Sequence, residues 1–309
     1  MKALLLAFAL ALFLHLLVPD KGQSLVQPSR YAVFLIVMIL LYLLLYLLGR
    51  IKPRWGAALA SRTPLLAAAF LLLTIWDLLT LKLGILPLPY FPDPNRVLDV
   101  FYTDWQTLGI SLLHSLRLQF LGYFLGASLG LVAGISAGWS RSLGYWLTPL
   151  IKIIGPIPAT AWIPVALTVF PNSFWASIYL VALAVWFPVT IMSSSGISNV
   201  PRAYFEVART LGADTRFLIF KVAIPAALPF IFIGLFMGLT TSFLALIVAE
   251  MLGAKAGLGW YIAWSQSWAE YAKVYAVLII ISFIFSNLIT LLFKCRDRVL
   301  VWQKGVVKW

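Results

Sequence analysis

The chain has 309 residues, of which 62% are hydrophobic and 11% charged, with a net charge of +13. That balance excludes an ordinary soluble globular domain. A lone Cys295 beside only His15 and His114 rules out an internal disulfide framework and argues against a transition-metal centre. Several uncharged runs exceed the roughly 20 residues needed to cross a bilayer, and they are continuous rather than alternating, so the expected fold class is an all-α polytopic membrane protein.

Residues 3–18 follow Lys2 as a short apolar run. A secretory signal is the rival reading, but no small-x-small cleavage site follows and Pro19, Asp20 and Lys21 come next, so a short membrane helix is expected. Residues 31–49 form an evident span, followed by a basic loop with Arg50, Lys52, Arg54 and Arg62. A third span covers roughly 64–81 and carries Asp77 near its far end. The stretch from Pro87 to Asp104 is rich in Pro and Asp, too polar and broken for a helix in lipid.

The fourth span, about 110–138, holds Gly122, Gly126, Gly130, Gly134 and Gly138. A glycine at every fourth position leaves one helix face without side chains, which lets another helix approach closely or bares backbone to a pore. From Ile153 to Val200 the chain has no charge, too long for one span, and Pro171-Asn172-Ser173 is the natural hinge. The fifth span (about 145–170) contains Pro156, Pro158 and Pro164 and must be kinked or partly unwound. Broken helices are tolerated where protein or a watery cavity surrounds them, so these three prolines are candidates for pathway lining. The sixth span is expected to end near Ile191, with a seventh over about 226–249 and an eighth over about 274–293.

About eight membrane helices result, dividing into an N-terminal extension (1–62), a transmembrane domain (63–294) and a basic tail (295–309). Fifteen of the 23 Lys and Arg fall on one set of loops, including Lys2, Arg50, Arg141, Arg202 and Lys294, and six on the other. Arg117 and Lys152 lie inside spans. This positive-inside bias places both termini in the cytoplasm and makes nucleic acid an unneeded explanation of the charge. Arg117, one turn after His114, is a costly intramembrane cation and a candidate for the pathway, although a helix-end arginine also snorkels. Asp77 and Glu250 sit at outer span boundaries, open to a watery vestibule. Trp260, Trp264 and Trp268 recur every fourth residue, as in a helix lying in the membrane interface, with contact to an extracytoplasmic protein as the second reading.

The most charged interruption of the second half runs from Asn199 to Pro229. Asn199 is a plausible N-cap, Tyr204, Val207, Ala208 and Leu211 share one helical face, and Glu206 and Arg209 occupy another. Gly212 stops that helix, and Asp214 or Thr215 can cap the next. The Glu206-Val207-Ala208 start, Gly212 six residues after the Glu, and Ile224-Pro225 resemble the EAA loop of ABC importer permeases. Val207 stands where the first alanine is usual. The stretches Pro156–Pro164 and Ala249–Gly259 resemble segments of the nitrate/sulfonate/taurine/bicarbonate-type permeases.

The resemblance implies a six-helix type I permease core preceded by two further helices, in the inner membrane of a bacterial cell. It implies a coupling loop over 199–225, in which Ala203, Tyr204, Glu206, Val207, Ala208, Arg209, Leu211, Gly212, Ala213 and Asp214 meet a separate ATPase subunit. That partner would bind ATP and Mg, leaving this chain without a cofactor, catalytic residue or metal. An extracytoplasmic substrate-binding protein, a second permease copy and membrane lipid are the other implied partners. The implied solute is a small anion or zwitterion such as nitrate, a sulfonate, taurine or bicarbonate, or a different small solute. No G-x-x-x-x-G-K-[ST] occurs, consistent with hydrolysis elsewhere. A secondary transporter would show repeated halves and intramembrane acids, and a membrane enzyme a cluster of His, Asp or Glu; neither pattern is found.

Overall fold

The computed structural model describes residues 2–21, 29–51 and 53–302. Lys52, Lys304 and Lys308, and with them residues 303–309 of the basic tail, lie outside the described residues. Among the described residues every regular element is helical. In order these are α1 (Lys2–Leu17), α2 (Arg30–Ile51), α3 (Pro53–Asp77), α4 (Pro94–Thr103), α5 (Trp105–Trp139), α6 (Arg141–Ile154), α7 (Ile163–Val169), α8 (Ser173–Ser198), α9 (Arg202–Thr210), α10 (Thr215–Phe217), α11 (Ile224–Gly253), α12 (Leu258–Ser267) and α13 (Tyr271–Val299).

The eight expected apolar elements resolve into three kinds. Among the described residues six helices are long and apolar enough to span a membrane. A bent pair, Arg141–Ile154 and Ala159–Val169, meets at 84° and counts as a seventh crossing if taken as one span. The last, the apolar part of α1 over Leu4–Leu17, rises only about 21 Å, short of a hydrocarbon core of about 30 Å.

The chain forms two compact units, Met1–Leu108 with Trp264–Ile279 and Gly109–Ala263 with Ile280–Trp309. In the first, α1, α2 and α3 meet through large side chains: Phe8 packs on Phe70 with ring centroids 4.2 Å apart, and Leu4, Leu35 and Tyr31 are fully buried. Asp77 is 2% exposed and does not face a vestibule. His15 Nδ1 lies 2.9 Å from its Oδ2, while His15 Nε2 contacts Ser29 Oγ at 2.8 Å. Nearby, buried Lys82 donates to Asp20 and to the Val18 carbonyl at 2.9 Å. The Pro- and Asp-rich stretch does contain a helix, the amphipathic α4, too short for a span. Asp93 caps it by accepting from the Arg96 N–H at 3.0 Å, and Val97 and Val100 turn inward. Burial pushes the Asp93 carboxyl above its usual range, opposed by Arg96.

In the second unit, glycine replaces bulk. The stripe from Gly122 to Gly138 lies against α8 in parallel: a Cβ on Gly126 would sit 2.3 Å from the Ala182 carbonyl oxygen, and one on Gly134 2.5 Å from that of Thr190. On α8's other contact, Gly234 and Gly238 of antiparallel α11 admit Met192 and Val185. Small residues bring the backbones close enough for extended packing where lipid offers no hydrophobic drive. α8 runs to Ser198, beyond the expected end near Ile191, because Met192–Ser198 carries no charge and Gly196 packs on Ala227 and Phe230. Asn199 consequently closes α8 and does not open α9, whose cap position is Pro201.

Candidate functional site

The charged interruption forms a helix, a glycine turn and a second helix start. None of the residues of α9 is buried. Its single large anchor is Phe205, half-buried, whose ring meets that of Trp139 edge-on at 5.7 Å. Tyr204, Val207 and Leu211 are exposed, Leu211 at 83%, and so are Glu206 and Arg209. Among the described residues no ion pair joins those two charges. Ala203 is exposed, while Ala208 and Ala213 are half-buried. The helix ends where the Gly212 N–H bonds the Arg209 carbonyl at 2.9 Å and the Ala213 N–H bonds that of Ala208 at 3.0 Å. Gly212 takes φ +84°, the left-handed conformation that favours glycine, with open space around it. Asp214 then accepts from the Phe217 N–H at 2.8 Å, capping the helix that leads through Leu218–Ala223 into α11.

A second feature lies at the break between α6 and α7. Gly155 makes room for the ring of Phe187, and the chain turns through Ile157, Pro158 and Ala159. A cavity of about 380 Å³ opens there, bounded by α8 and α11 and lined among others by Pro158, Phe187, Met237 and Thr241. Pro158 alone of the candidate pathway residues lines it. Pro156 and Pro164 are exposed, and so is Arg117, whose guanidinium lies 5.1 Å from the Phe174 ring centroid.

The opposite end of α11 holds a residue whose part in the structure the sequence reading missed. Glu250 has no exposed surface, contrary to the vestibule expectation. The Ser115 hydroxyl donates to it at 2.7–2.8 Å, and the Gly259 N–H at 2.9 Å. Ser115 in turn accepts from the Leu258 N–H at 2.8 Å. The carboxylate thus satisfies, directly and through one hydroxyl, two free amides that open α12. Gly257, at φ +124°, is obligatory: a Cβ there would lie 2.4 Å from the Glu250 carboxyl carbon. The available signal was an acid followed closely by Gly253, Gly257 and Gly259. One helical turn along α5, the buried Gln119 amide donates to Ser242 at 2.7 Å. In α12 Tyr261 and Ile262 are buried, while Trp264 and the following Trp268 are exposed.

Residues 126–296 match the binding-protein-dependent transport system inner membrane component family. The chain belongs to that family. The match covers α5 from Gly126 on, α8, α11, the helices on either side of the break, α9 and most of α13, and bears out the resemblance drawn from the loop. Among curated relatives, the nitrate import permease protein NrtB of Synechococcus elongatus is 30% identical over 52% of this chain and 61% of its own length. The bicarbonate transport system permease protein CmpB of the same organism is 33% identical over 42% of this chain and 45% of its own. The taurine transport system permease protein TauC of Escherichia coli is 30% identical over 60% and 69%. The chain therefore spans less than two thirds of the NrtB relative. Among solved structures, an inward-facing MetNI methionine ABC transporter chain aligns with a TM-score of 0.53 over 68% of this chain and 99% of its own. At 19% identity that likeness speaks for the fold alone.

Proposed function

We propose that this permease-family chain is the membrane-spanning subunit of an ABC importer, driven by ATP hydrolysis in a separate subunit. The observation that carries the reading is α9. It presents Tyr204, Val207, Leu211, Glu206 and Arg209 outward while resting on the fold through Phe205. Exposed apolar side chains beside charges that pair with none of the described residues contribute little to the stability of an isolated chain and suit a partner's groove. In this reading Ala203, Ala208, Ala213 and Asp214 shape the docking segment, and Gly212 supplies its turn. ATP and Mg belong to the partner. Two permease copies enclose the route, and an extracytoplasmic binding protein delivers the solute. The charge bias supports a reading in which α9 and both termini face the cytoplasmic side of a bacterial inner membrane. The names of the relatives make nitrate, bicarbonate and taurine the first solutes to compare.

The test replaces Gly212 with Val in the complex assembled with its ATPase and binding protein. A β-branched residue at φ +84° strains the turn by about 1–3 kcal/mol and reorients α9. The protein is expected to insert and retain basal ATP hydrolysis while solute-stimulated hydrolysis and uptake fall together. Unchanged stimulation and uptake would remove α9 from the coupling path.

A further inference from the structure

We propose that the cavity at the break between α6 and α7 is a solute subsite for an uncharged organic molecule with an apolar body, and that it disfavours small inorganic anions. The inference rests on reading this chain as the pathway subunit, and it departs from the charged solutes that the relatives' names suggest.

The cavity's volume of about 380 Å³ sits near the lower end of the roughly 300–1,000 Å³ typical of small-molecule sites. No charged side chain lines it. Ile154, Ile157, Leu183, Ile191 and Leu244 make its walls aliphatic, and Phe187 adds a ring. Met192 and Met237 supply adaptable, polarisable surface that fits varied apolar shapes. The only side-chain hydroxyls are those of Thr160 and Thr241. The Thr241 hydroxyl lies 2.8 Å from the Ala184 carbonyl and 3.0 Å from that of Met237, and so donates within the protein. What it turns to the cavity is accepting oxygen, which suits a donor such as an N–H or O–H and repels an anion.

The two cations expected inside spans do not correct this balance. Arg117 lies over Phe174, and exposed Lys152 precedes the lining of the break by two residues; neither reaches the lining. A bare anion entering here would give up water without gaining a cation, and the Thr160 hydroxyl is the one lining side-chain donor left to it. An uncharged solute loses much less and gains contact with the aliphatic walls. The cavity therefore complements an apolar solute bearing one or two donors, a different class from nitrate or bicarbonate.

The test uses the chain's single native thiol, Cys295, which is exposed and is first replaced by Ser. Met237→Cys and Thr160→Cys are then introduced separately into the complex with its ATPase in lipid nanodiscs. Each is labelled with neutral methyl methanethiosulfonate and with its anionic 2-sulfonatoethyl counterpart. Both reagents attack the same thiolate, so their rate ratio cancels its ionisation. Exposed Leu211→Cys supplies the solution ratio.

The neutral reagent is expected to be favoured at Met237→Cys and Thr160→Cys by at least about tenfold over that reference. Benzyl alcohol should slow labelling there, and potassium nitrate at equal concentration should not. A ratio equal to the reference, or protection by nitrate alone, overturns the solute class. No labelling by either reagent at both positions also overturns it, because a second copy or lipid would then fill the cavity. These outcomes do not depend on coupling, so they are separate from the Gly212 result.

Discussion

At its C-terminal end α11 delivers Glu250 into a site with no exposure, where Ser115 and Gly259 occupy the carboxylate and Leu258 is held through Ser115. At its N-terminal end the same helix is reached through α9, none of whose residues is buried. One end is closed by hydrogen bonds made inside the chain, and the other leaves apolar and charged groups outside it. A buried polar network is costly to disturb, whereas exposed charges stabilise a fold only slightly. The contrast teaches that the charged residues of α9 are not there to hold this chain together. In the proposed reading the closed end fixes α11 so that displacement at the open end moves the helix as a body.

Substitutions at the two ends should separate them by size of effect. Glu250→Ala leaves the Ser115 hydroxyl and the Gly259 amide without their acceptor, and should destabilise the protein by about 3 kcal/mol or more. Glu250→Gln keeps one acceptor oxygen and should fall between that variant and wild type. Thermal unfolding in detergent followed by size-exclusion chromatography checks both. A wild-type melting temperature for Glu250→Ala would show that the closed end is not closed.

Asp214→Ala removes the acceptor for the Phe217 N–H and should cost about 1 kcal/mol, visible as a small shift in the same measurement. Smallest of all, Glu206→Gln or Arg209→Gln should change stability by no more than about 0.5 kcal/mol, since among the described residues neither side chain has an ion-pair partner. A large loss of stability from either would erase the difference between the ends. Their effect is expected instead in pull-down of the ATPase from detergent extracts, where each should weaken co-purification.

Much of this architecture can be read from the residue order alone. The uncharged runs and basic loops mark the spans, the five glycines mark the face that meets α8, and three prolines mark the broken helix. Gly212 and Asp214 act where local turn chemistry places them. What escaped depends on residues far apart in sequence. Glu250 reads as an exposed boundary acid because its partner Ser115 lies 135 residues away. Asp77 reads the same way until His15 is placed beside it. The anchor Phe205 was missed because periodicity groups Tyr204, Val207 and Leu211 on one helical face, and that face points outward in the fold. Periodicity identifies an apolar face but not what covers it. The family match likewise starts at residue 126 and does not reach the packing of α1, α2 and α3.

The central claim is that α9 is the surface met by the ATPase subunit, and Leu211, at 83% exposure, is its most direct reporter. With Cys295→Ser as background, Leu211→Cys carries benzophenone maleimide in the reconstituted complex and is irradiated with and without ATP. The account predicts a covalent adduct with the ATPase subunit whose yield changes when ATP is present. A complex that hydrolyses ATP normally and gives no such adduct would contradict it.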